Sequence, residues 1–143
     1  MINSIISAIS VALFNEFGEG YEIYTEKIEQ GLSEPCFLIS SLTQNSNQFF
    51  SSRYKKNNLF SVQYFPSSQG IRAECNDVAE RLNECLEWIE VDGDLIRGTN
   101  LTSELVDDVL NFTLNYNFFA VSKSDDVDAM EEFGINANVE RND

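Results

Sequence analysis

The sequence predicts an α+β fold: a mostly antiparallel sheet with two main helices packed on one face, and a long β-hairpin with a mobile tip. Three observations carry this. Apolar residues recur every three or four positions over 2–17 and again over 71–89, as on helices with one buried face. They alternate with polar residues over 109–122, as on a strand with one face on a core. Gly, Pro, Asn and Asp punctuate the intervals, where turns are made. A sheet covered on one face by the two helices is the economical way to bury both kinds of stripe.

The elements follow in chain order. Ile2, Ile5, Ile6, Ile9, Ala12, Leu13 and Phe17 make the first helical stripe, and Gly18 stands where a C-terminal cap belongs. The polar face of this helix has no Lys or Arg, which favours core packing over a membrane surface. Tyr21–Lys27 and Cys36–Leu42 are β-like, separated by the turn-rich segment 30–35. Residues 36–66 form a long hairpin whose distal part, Gln44–Asn58, is polar and weakly patterned. In its returning strand Phe60, Val62 and Tyr64 face inward, and Leu59, Ser61, Gln63 and Phe65 outward.

The second helix is expected over Ile71–Ile89, with Cys75, Val78, Ala79, Leu82, Cys85, Leu86 and Ile89 on its apolar side. Asp92-Gly93-Asp94 turns into a strand over Leu95–Leu101, and Thr102–Asp108 is the next turn. Val109–Ser122 is the clearest strand, its wet face chiefly Asn and Thr. The expected organisation is a single domain over 1–122, followed by an acidic segment, 123–143, that is loosely ordered or holds one short element.

Composition narrows the function. The 143 residues carry a formal net charge of −15, nearly all of it from residue 74 onward. Such a field repels nucleic-acid phosphates, so specific DNA or RNA binding is disfavoured, which does not exclude a protein that DNA slides past without sticking. A hydrophobic fraction of 43% is ample for a core, and no apolar run reaches the roughly 18 residues of a membrane span. The first residues lack a basic segment and a cleavage site, so the expected location is cytoplasmic. Cys75 and Cys85 share a helix about 15 Å apart, beyond the roughly 7 Å limit for a disulfide, so the thiols are expected to be reduced and packed.

Catalytic chemistry has no foothold. Without histidine there is no imidazole base, nucleophile partner or metal ligand. The carboxylate clusters at Asp107–Asp108, Asp125–Asp128 and Glu131–Glu132 fall in turns and the tail, where burial cannot shift their pKa. The run from Asp125 has Met130 and Asn136 where a calcium loop needs Gly and Glu. The expectation is therefore no enzyme, no metal and no cofactor. Trp88 reads as core or interface packing.

The one concentrated feature is Arg53, Tyr54, Lys55 and Lys56, which holds three of the nine basic residues at the mouth of a strand. It reads as a docking point for an acidic protein surface or as a solvated hairpin tip. With PCFLI (35–39) and RYKKNNLFSVQYFP (53–66), and a helix behind them, the chain resembles the tail terminator, or tail completion, proteins of long-tailed bacteriophages. It is most similar to small prophage-encoded versions from Gram-positive hosts and their phage-tail-like particles. The resemblance implies a structural role with no cofactor. Such a protein forms a ring, usually a hexamer, that caps the tail tube and ends its growth at the length set by the tape measure protein. It then meets the head-to-tail connector or the sheath, first in the host cytoplasm and afterwards in the virion. Arg53, Tyr54, Lys55 and Lys56 are the expected contact to a neighbouring subunit or the tube. Two alternatives stand beside this: a neck, head-completion or tube protein of the same particle, and a small cytosolic ligand-binding domain.

Overall fold

A computed structural model describes residues 1–26, 31–50 and 52–121. Among the described residues two helices and seven strands follow in order: α1 (Ile2–Phe17), β1 (Glu22–Tyr24), β2 (Cys36–Phe50), β3 (Arg53–Phe65), α2 (Ile71–Cys85), β4 (Trp88–Val91), β5 (Asp94–Val106), β6 (Val109–Tyr116) and β7 (Phe118–Val121). The sheet runs β1-β2-β3-β6-β5-β4, with β7 pairing to β3. β1 and β2 pair in parallel; β3–β6, β3–β7, β4–β5 and β5–β6 are antiparallel. The α+β expectation holds. The acidic segment 123–143 and the calcium-like run lie outside the described residues.

The described residues divide into two compact units, those of Met1–Asn45 with Asn57–Asn117, and those of Ser46–Lys56 with Phe118–Val121. The first holds both helices and the main core. There α1 buries Ile5, Ile9, Leu13 and Phe17, and α2 buries Cys75, Val78 and Leu82. They close over Phe37, Phe60, Val62 and Tyr64 of β2 and β3 and over Leu110, Phe112, Leu114 and Tyr116 of β6. Each such aliphatic or phenyl side chain contributes about 1.5–3 kcal/mol by leaving water. Phe37 lies 4.8 Å from Phe17 and 5.0 Å from Tyr64 between ring centroids, an aromatic seam joining α1 to the sheet. Arg81 of α2 covers the outer side of Phe17 at 4.2 Å and pairs with Glu16 at 2.8 Å.

Local chemistry explains the boundaries. Gly18, at φ 85°, ends α1, its N–H donating to the Phe14 carbonyl. Asp92–Gly93 and Asp107–Asp108 adopt positive φ in pairs, the geometry of two-residue hairpin turns, and so close β4–β5 and β5–β6.

Three boundary expectations are corrected. Helix α2 stops at Cys85 rather than Ile89 because the next two carbonyls are taken from outside the helix. The Tyr116 hydroxyl donates to Leu86 O, and the Gly98 N–H donates to Glu87 O at 2.6 Å. Trp88-Ile89-Glu90-Val91 then alternates as a strand. β5 runs on to Val106 where a turn over 102–108 was expected, absorbing the irregularity in a bulge between Thr99 and Thr102 with Asn100 at φ 54°. β2 continues to Phe50 and β3 begins at Arg53, where a weakly patterned tip was expected over Gln44–Asn58. Backbone ladders need no apolar alternation, so Asn, Gln and Ser extend them without announcing it.

Candidate functional site

The expected contact residues Arg53, Tyr54, Lys55 and Lys56 lie in the second unit, on a paired strand rather than a turn. Their partners in β7 are Val121, Ala120, Phe119 and Phe118 respectively. The pleat therefore divides the cluster. Arg53 and Lys55 are exposed on one face, together with Phe119, directly opposite Lys55 and 49% exposed. The Arg53 guanidinium lies 5.5 Å from the Phe119 ring centre, so charge and aromatic surface form one patch. Tyr54 and Lys56 are half-buried on the other face, with the Lys56 ammonium 5.9 Å from the Tyr54 ring centre. The two ion pairs among the described residues are Arg81–Glu16 and Arg97–Glu87, so no described carboxylate neutralises Arg53, Lys55 or Lys56.

Sequence reasoning did not single out the second exposed surface, which lies wholly in the first unit. Helix α1 and the β4–β5 hairpin bound a groove of about 800 Å³. Val11, Trp88 and Leu95 line it while remaining more than half exposed, and Glu90 and Asp92 add carboxylates. Trp88 and Glu90 point outward on β4, and Leu95 stands opposite Glu90 on β5. Arg97 sits 5.8 Å from the Trp88 ring but is engaged by Glu87 at 3.2 Å. The signal for this surface was present in Val11, an apolar residue of α1 that falls off its buried stripe.

The thiols offer little nucleophilic chemistry. All three are free, and burial pushes Cys36 and Cys75 up and Cys85 to about 12, which keeps it protonated at neutral pH. Among the described residues no group of three or more Cys, Asp or Glu side chains could hold a metal ion. No described helix is long and apolar enough to cross a membrane. What the geometry offers is two exposed surfaces of opposite charge, each with aromatic area, the makings of protein–protein contact.

No curated protein matches the sequence. Among solved structures twenty chains match; one is 12% identical, covers 88% of this chain and 99% of its own, and superposes with a TM-score of 0.43, a level that carries no argument about function. The family model described as phage tail terminator protein matches residues 4–129, which takes in α1 from Ser4 onward, α2, every described strand and both exposed surfaces. The chain belongs to the phage tail terminator family, and its role is structural, in the assembly of a phage tail.

Proposed function

We propose that this protein forms a ring on the head-proximal end of a tail tube, stops its polymerisation and presents the joining surface to the connector or sheath. The family match over residues 4–129 is the observation that carries the reading. Its partners are then further copies of itself, the tail tube protein, the end of the tape measure protein and the connector or sheath. The work is done in the host cytoplasm and the ring stays in the finished tail. A closed ring needs two different complementary surfaces on each subunit, and the basic strand end and the acidic groove are two such surfaces. The net charge of −15 suits a passage through which DNA moves without binding.

Copy number separates this reading from that of a tube subunit. Quantitative mass spectrometry of purified tails should find one ring of this chain per particle. Copies rising in proportion to tail length would make it a tube protein instead.

A further inference from the structure

We infer that the groove between α1 and the β4–β5 hairpin receives the basic strand end, Arg53, Lys55 and Phe119, of a second copy of this chain. The inference deepens the ring reading, on which it rests, by naming both halves of the subunit contact.

The groove lacks the usual reason for being polar or covered. Trp88 and Leu95 are 52% and 69% exposed on one outward face, and Val11 of α1 is 58% exposed beside them. Exposed aromatic and aliphatic side chains gathered on one concave surface mark an interaction site more often than isolated ones do. The carboxylates of Glu90 and Asp92 line the same groove, and among the described residues no basic side chain pairs with either. Helix α1 brings no Lys or Arg to it, and Glu16, the other carboxylate there, is held by Arg81.

The basic strand end has the complementary pattern. Arg53 and Lys55 stand two residues apart on one strand face, about 6.6 Å, and the groove offers two carboxylates, Glu90 on β4 and Asp92 in the turn that follows it. Phe119 lies opposite Lys55 on the same face as the two cations, as Leu95 lies opposite Glu90. Two cations with an aromatic ring therefore meet two carboxylates with Trp88, Leu95 and Val11. The apolar parts would anchor the contact, and the charges would fix its register and exclude other pairings. Because the two surfaces differ, the contact is heterologous, the kind that closes into a ring.

Charge exchange tests it. The variants Arg53→Glu/Lys55→Glu and Glu90→Lys/Asp92→Lys should each fold as the wild type does. Each should need about tenfold or more higher concentration to self-associate, read by mass photometry and light scattering. Mixed together they should associate again, because each supplies the surface the other lacks. A photo-crosslinker replacing Phe119, in a mixture of isotopically light and heavy chains, should join to peptides of α1 or of 88–95 in a different molecule. The inference is overturned if both variants associate like the wild type, if the mixture fails to recover, or if the crosslink goes to another protein or stays within one chain. A wild type that remains monomeric throughout and yields no crosslink overturns it too. The ring reading fails separately, on tail length and copy number, which these variants do not decide.

Discussion

Gly98 is a residue whose identity the structure explains atom by atom. A Cβ there would come within 3.0 Å of Leu114 Cδ1 and of the Leu86 carbonyl oxygen, and 3.2 Å from Tyr116 Cε1. One of those neighbours is backbone that is itself bonded to the Tyr116 hydroxyl, so it has little room to give. Gly98→Ala should therefore destabilise by about 1–3 kcal/mol through overpacking. Tyr116→Phe keeps the ring and removes only the donor to Leu86 O; a similar loss of about 1–3 kcal/mol is expected from a buried carbonyl left unpaired. Urea denaturation measures both, and an unchanged midpoint for either would contradict this view of how α2 ends. None of it was legible beforehand: Leu82, Cys85, Leu86 and Ile89 continue the helical spacing without a break. The groups that stop the helix lie on two distant strands. By contrast, the C-terminal cap of α1 was legible at Gly18, since its cause is local.

At the level of elements, the join between β3 and α2 depends on Glu74. Its carboxylate accepts hydrogen bonds from the hydroxyls of Tyr64 and Ser68 and from the backbone N–H groups of Ser67 and Ser68, at 3.1 and 3.0 Å for the last two. Burial alone would push its pKa up, but these bonds to the charged form outweigh it and hold the group below its ordinary value of 4.5. A depressed folded-state pKa means stability present above pH 4.5 and lost as pH falls through the folded value. Wild type and Glu74→Gln should differ in urea midpoint at neutral pH and converge as pH falls through the lowered folded-state value of Glu74. A gap that stayed constant with pH would contradict it. The same scale shows what patterning can and cannot reveal. β6 was plain because Leu110, Phe112, Leu114 and Tyr116 all face the core. The distal half of β2 was hidden because Thr43–Gln48 has no apolar alternation, although its backbone is in the ladder. β7 was merged with β6, since the apolar pattern runs through Asn117. There the Asn117 side chain accepts from the Asn58 N–H at 3.1 Å and the Asn58 amide donates to Tyr116 O.

For the whole molecule, the basic cluster was visible as composition, but the partner strand was not. Nothing in RYKK indicates that Phe119 will lie opposite Lys55, or that the pleat will send Arg53 and Lys55 one way and Tyr54 and Lys56 the other. The groove at Trp88 and Leu95 was hidden for the same reason, because it depends on α2 ending early enough for β4 to form. A chain that sets exposed apolar side chains beside charge of opposite sign on two surfaces is suited to assembly. The central claim is that this assembly ends tail growth, and the length distribution of tails tests it most directly. Negative-stain micrographs of particles made without the protein should show tubes of broadly varied, overgrown length, and supplying the protein in trans should restore a single narrow length. Tails of normal, uniform length in its absence would contradict the claim.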